Sequence, residues 1–225
     1  MRVLAAAVLS LLLASAAAQA QDQAMAERLK PCAACHGEGG HSRDEVYYPS
    51  IAGKPQGYLQ QQLRNFREGR RHNTVMAELL APLSDDYLRA IAAYYAQQPP
   101  TLAAREPVAD AALLARGAKL VREGDAARQL PACSRCHGGQ LAGVQPAIPS
   151  LAGLGRDYLS AQLGAWRSGV RQALAPDCMA QIARKLDEAE INALSAYIAA
   201  LPVNAQTRPA EHPDGKLPLD CGSVP

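Results

Sequence analysis

The chain has 225 residues, 23 Lys and Arg against 21 Asp and Glu, and a formal charge of +2. That near balance gives no sign of a nucleic-acid partner, and the length suits two small domains or one medium one. Aromatic residues make up only 4% of the chain, so each core needs some other bulky apolar body to fill it.

At the N-terminus Arg2 precedes an apolar stretch from Val3 to Ala18, closed by Ala18-Gln19-Ala20. This is the pattern of a secretory leader with a small-residue cleavage site. Residues 1–20 are therefore expected to be removed, leaving a mature chain from Gln21 with a formal charge of +1. The stretch is short of the roughly 20 apolar residues a spanning helix needs. Retention as an anchor is the alternative.

Two Cys-x-x-Cys-His runs follow, Cys32-Ala-Ala-Cys35-His36 and Cys133-Ser-Arg-Cys136-His137. This spacing lets two thiols one helical turn apart add to the vinyl groups on one porphyrin edge, while the next histidine reaches the iron. A zinc site would need a second ligand pair near each run, and a thioredoxin-like pair gives no reason for the histidine. Two covalent haems are expected, bound through Cys32, Cys35, Cys133 and Cys136. Their porphyrins would supply the apolar volume that the composition lacks. Attachment of this kind takes place outside the bacterial cytoplasm, in agreement with a leader.

The chain is a tandem duplication with a period near 100 residues. Pro49-Ser50-Ile51-Ala52-Gly53 returns as Pro149-Ser150-Leu151-Ala152-Gly153. Tyr58-Leu59, Gln62-Leu63, Arg67, Gly69 and Arg71 return 100 residues later, and Phe66 is answered by Trp166. Over residues 49–71, 11 of 23 positions match their partners, too many for chance.

Apolar spacing predicts helices over Gln56–Glu68 and Asp85–Gln97 in the first half. In the second half it predicts Ala111–Glu123, Arg156–Ser168 and Glu188–Ala200. Ser84 reads as an N-cap, and Asp187 with Glu190 as an acidic capping box. Strand-like alternation is almost absent, so the fold class is all-α. Prolines from Gln98-Pro99-Pro100 through Glu106-Pro107 separate the halves.

A haem iron with one histidine still has an open face, and its occupant decides between electron transfer and catalysis. Met25 lies too close before the first motif to reach over that face. Met76 follows His36 by 40 residues and Met179 follows His137 by 42, each seven residues before a leucine, Leu83 or Leu186. The matched placement predicts His36/Met76 and His137/Met179 as axial pairs. A thioether favours ferrous iron and closes the metal to substrates. His72 lies near Met76 but is answered by Gln172, while His41 and His212 read as loop and tail residues. Arg64, Arg67, Arg70 and Arg71 form a cationic run that reads either as a positive patch near the first haem or as a solvated helix face.

These motifs together resemble the dihaem cytochrome c4 family, over the mature chain to about Pro202. Gly117, Lys119-Leu120-Val121 and Gly124-Asp125-Ala126-Ala127 strengthen the likeness. The resemblance implies two tandem class I cytochrome c domains (21–100 and 108–202, with a linker at 101–107), each wrapped around one covalent haem. It also implies that the carbonyls of Pro49 and Pro149 accept a hydrogen bond from His36 and His137. Function would be that of a periplasmic carrier, with no reaction of its own. It would take electrons from a quinol-oxidising complex or a dehydrogenase and pass them to a terminal oxidase; peripheral membrane association is left open.

Two features depart from the family. A proline-rich tail covers 203–225, and Cys178 and Cys221 lie outside the haem motifs. In an oxidising compartment these two have only each other, so a disulfide folding the tail over the Met179 side is expected. The tail also suits a second reading, a dihaem cytochrome subunit of a periplasmic dehydrogenase such as a sulfur-compound-oxidising flavoprotein. A third reading, a dihaem enzyme, would require one displaceable axial ligand; Cys178 beside Met179 is the feature that suggests it.

Overall fold

The computed structural model describes residues 22–42, 47–100, 110–204 and 207–224. The expected leader at 1–20 and linker at 101–107 lie outside the described residues. Among the described residues the only β pairing is isolated bridges, and the fold is all-α.

In the first half a helix at residues 22–28 (α1) leads to α2 (Lys30–His36), followed by α3 (Gln56–Arg67), α4 (Thr74–Leu80) and α5 (Asp85–Gln97). The second half has α6 (Ala111–Arg122), α7 (Ser134–His137), α8 (Arg156–Arg167), α9 (Cys178–Ala183) and α10 (Glu188–Ala199). The long helices fall where apolar spacing puts them, within one residue at their ends. Ser84 accepts a hydrogen bond from Tyr87 N at 3.2 Å and starts α5. Asp187 and Glu190 close a reciprocal capping box on α10, so two otherwise orphaned donors are satisfied.

Each half has its own core. Leu29, Leu59, Leu80, Leu88, Ile91, Ala92 and Tyr95 cluster in the first, with Cys32, Phe66 and Met76 packed against them. The second gathers Leu120, Val121, Leu130, Leu141, Ala152, Leu159, Leu186, Ile191, Leu194 and Ile198, with Cys133 and Leu163 alongside. Burying one such leucine stabilises by about 1.5–3 kcal/mol. α6 and α10 approach so closely that a Cβ on Gly117 would stand 2.2 Å from the carbonyl oxygen of Ala193. Only glycine fits there.

The described residues near the C-terminus pack against the second half. Leu201 and Val203 pack on its core. Ala210 then pairs with the 143–145 segment, through Gln145 N to Ala210 O at 2.8 Å and Ala210 N to Gly143 O at 3.0 Å. Farther on, Gly222 N donates to Pro176 O at 3.0 Å, and Cys178 is joined to Cys221 with an S–S distance of 2.00 Å. The tail therefore runs from the loop beyond His137 to the start of α9. Val75, at the position in the first half that corresponds to Cys178, is 60% exposed.

Candidate functional site

In each half a short helix carries the Cys-x-x-Cys-His run and ends abruptly. Proline opens α2, and Gly37 at φ 76° ends it. A side chain there would collide with the carbonyl of His41, 2.0 Å from the Cβ position. Gly138, at φ 83°, ends α7 in the same way. The chain thus turns back immediately after each histidine.

That turn brings each histidine to its proline. His36 Nδ1 lies 2.9 Å from Pro49 O, and His137 Nδ1 lies 2.8 Å from Pro149 O. A carbonyl only accepts, so Nδ1 carries the proton and Nε2 keeps its lone pair. Burial pushes both imidazoles below their ordinary pKa, against the opposing pull of the proline carbonyls. A neutral ring with a free Nε2 and a fixed orientation is the form in which histidine binds a metal.

None of the four motif cysteines is in a disulfide. Burial raises Cys32 and Cys136, and pushes Cys133 up to about 12. Among the described residues no group of three or more His, Cys, Asp or Glu converges to hold a metal ion, so these thiols lack the partners that zinc would require.

Met76 and Met179 both sit half-buried in the first turn of a short helix, α4 and α9. Side-chain caps anchor these helices. Asn73 Oδ1 accepts from Met76 N at 3.0 Å. Asp177 accepts from Ala180 N at 3.0 Å and from Ala173 N at 2.7 Å.

The seam between the halves holds residues that the sequence presents as matches in the repeat or, for Arg70 and Arg71, as part of the cationic run. Arg71 and Arg171 form an antiparallel bridge, and Gln172 N donates to Arg70 O at 2.7 Å. Arg71 donates to Gln62 at 2.9 Å and, across the seam, to Gln162 and the Tyr158 hydroxyl at 3.0 Å each. Arg171 donates to Gln162 at 2.5 Å and across to Gln62 at 2.9 Å. Tyr58 is its other polar neighbour. Identical residues in each half thus hold the other, in a crosswise arrangement.

Two guanidiniums lie side by side in this seam, and Arg171 is only 4% exposed. Burial and the charge of Arg71 hold Arg171 below its ordinary pKa. The polar groups facing the pair are Gln62, Gln162, the tyrosines and each other; among the described residues no carboxylate is one of them. Burying charge without a counterion costs several kcal/mol, a cost that an anion beside the seam would offset. A haem in each half would bring propionates, and the thiols, histidines and methionines are of the residue types that would attach and ligate it. The residues fit a haem in each half.

The cationic run does not form a free positive patch. Arg64 and Arg67 both pair with Asp85, at 2.8 and 2.5 Å, and Arg70 pairs with Glu68. Arg71 turns into the seam. An arginine that faces inward carries the same letter as one in solvent; its repetition at 171 was the available signal.

A family model described as cytochrome c matches residues 114–202. The chain is 37% identical to a thiosulfate dehydrogenase electron acceptor of Thiomonas intermedia, over 90% of this chain and 92% of that protein. It is 37% identical to a cytochrome c4 of Pseudomonas aeruginosa, over 76% of this chain and 83% of that protein. The crystal structure of reduced recombinant cytochrome c4 from Pseudomonas stutzeri superposes with a TM-score of 0.70 at 34% identity, covering 80% of this chain and 97% of that one.

Proposed function

The chain belongs to the dihaem cytochrome c4 family, and from that premise we propose that it is a periplasmic carrier delivering single electrons from a dehydrogenase to a terminal oxidase. It is a dihaem electron-transfer protein with two covalently bound haem c groups. The observation that carries the proposal is the pair of equivalent histidine–proline sites joined through one buried cationic seam. Two sites with the same ligand residue types suit a relay, whereas a catalyst needs an open or displaceable position on one iron. Among the described residues no helix is long and apolar enough to cross a membrane.

Each residue has a distinct task. Cys32 and Cys35, with Cys133 and Cys136, would anchor the porphyrin edges by thioethers. His36 and His137 would ligate through Nε2, held by Pro49 and Pro149. Met76 and Met179 would complete each coordination sphere. The haem, once bound, supplies an iron that cycles between ferrous and ferric. Arg71 and Arg171 would oppose the charge of the propionates, and the capped helices would hold the ligands in place.

The likeness to the Thiomonas protein favours one donor class over others. A dehydrogenase that oxidises thiosulfate, or a similar reduced sulfur compound, suits this chain as donor. The test mixes purified haem-loaded protein with such an enzyme and thiosulfate, and follows the reduced haem bands. Rapid reduction that depends on both components is expected; reduction no faster than with thiosulfate alone would overturn the donor assignment. Turnover of thiosulfate by the cytochrome itself would overturn the carrier reading.

A further inference from the structure

The chain has a single tryptophan, and it stands on α8 where the first half has Phe66 on α3. Both rings support an arginine. The Arg71 guanidinium lies 4.5 Å from the Phe66 centroid, and that of Arg171 lies 3.7 Å from the Trp166 centroid. The packing is shared; the chemistry is not, because an indole has an N–H to donate and a phenyl ring has none.

That donor has no protein partner. Trp166 Nε1 is buried, and none of the described protein atoms accepts from it. A buried donor left unsatisfied costs about 1–3 kcal/mol, and buried indole N–H groups usually find an acceptor. Arg171, lying on the same ring, has the matching deficit of a buried cation that faces no carboxylate. Arg171 already donates to Gln162 and Gln62, so it lacks a counter-charge where the indole lacks an acceptor; one anion beside the ring would supply both.

We propose that Trp166 Nε1 and Arg171 together donate to a propionate of the second-half haem, and that the Phe66/Trp166 difference sets the two haem potentials apart. The proposal rests on the dihaem reading above. A donor to a propionate spreads its negative charge and so withdraws support from ferric iron. The second haem therefore gains a push toward ferrous that Phe66 cannot give the first. Trp166 acts here as a positioning and tuning residue; the electron does not reside on it.

With one tryptophan, selective 15N labelling gives a single indole N–H resonance. In the haem-loaded full chain it should exchange slowly with D2O and move when the haems are reduced, because unpaired spin on ferric iron shifts nearby protons. Fast exchange, or the same position in both oxidation states, would overturn the proposal.

Trp166→Phe installs the ring that the first half already has, and its fold can be checked by thermal unfolding. Haem-methyl resonances assigned to each half would then report a several-fold rise in the ferric-to-ferrous ratio of the second haem at fixed potential, with the first little changed. Equal movement of both haems, or none, also overturns it. Haem content measured on the same sample separates the two readings. Fewer than two haems per chain defeats the dihaem assignment, while two haems with a silent indole defeats only this inference.

Discussion

The guanidinium of Arg71 donates to the phenol of Tyr158 at 3.0 Å, across 87 residues of sequence and from one half to the other. With Arg171 it places two positive charges in the seam between the halves, held by Gln62 and Gln162. Removing that charge should matter electrically more than mechanically. Arg71→Gln is expected to lower the midpoint potentials of both haems, by an amount on the order of 1 kcal/mol per electron. Arg71→Lys should recover part of the change. Potentiometric titration checks this, and an unchanged titration curve would remove the arginine from any role in tuning.

Met76 and Met179 are expected to bind iron independently. Met76→Ala and Met179→Ala should each remove half of the far-red sulfur-to-iron absorption of the oxidised protein, scaled to haem content, and lower one potential. A variant that keeps the full band would show that its methionine is not a ligand.

The bond between Cys178 and Cys221 closes a loop of 43 residues. In the loop-entropy picture its loss costs about 2–4 kcal/mol. The double substitution of Cys178 and Cys221 by Ser should lower the unfolding free energy by that amount, read as a lower denaturant midpoint, and expose the tail to protease. Reductant should destabilise the native protein and leave the double variant unmoved. Equal sensitivity of both to reductant would contradict the assignment.

Glu190 is 6% exposed, accepts both Arg128 amines at 2.7 and 3.1 Å, and also accepts from Asp187 N at 3.0 Å. The Arg128 hydrogen bonds, against the opposing cost of burial, hold its carboxyl below the ordinary glutamate value. A depressed folded pKa gives stability that is fully present above the unfolded value of about 4.3 and is lost as pH falls through the folded one. Glu190→Gln should therefore cost about 1–2 kcal/mol at neutral pH, and the gap from the native protein should close below about pH 4. Thermal melts across pH test it; a constant gap would count against a titrating Glu190.

Much of this was readable from sequence where a residue acts through local chemistry. Ser84 and the Asp187–Glu190 box cap the helices they were expected to cap, because capping depends on neighbours three residues away. The long helices show enough turns for their apolar period to be counted. α4 and α9, at 7 and 6 residues, show too few, and their starts depend on Asn73 and Asp177 caps that resemble ordinary loop residues. The seam was hidden for a different reason. The fate of Arg71 depends on a tyrosine and a glutamine 87 and 91 positions away, and the run of arginines around it suggested solvent. Trp166 reads as a conservative exchange for Phe66; its N–H acquires meaning only once Nε1 is seen to be buried without a protein acceptor among the described residues.

Gene duplication ordinarily yields modules that can be cut apart, exchanged or lost. The crossed contacts of Arg71 and Arg171 remove that freedom. A single half expressed alone would display a naked guanidinium where a tyrosine and a glutamine used to be, and its sister would lose the same partners. The two copies now have one fate, and drift at position 62 in the first is constrained by position 171 in the second.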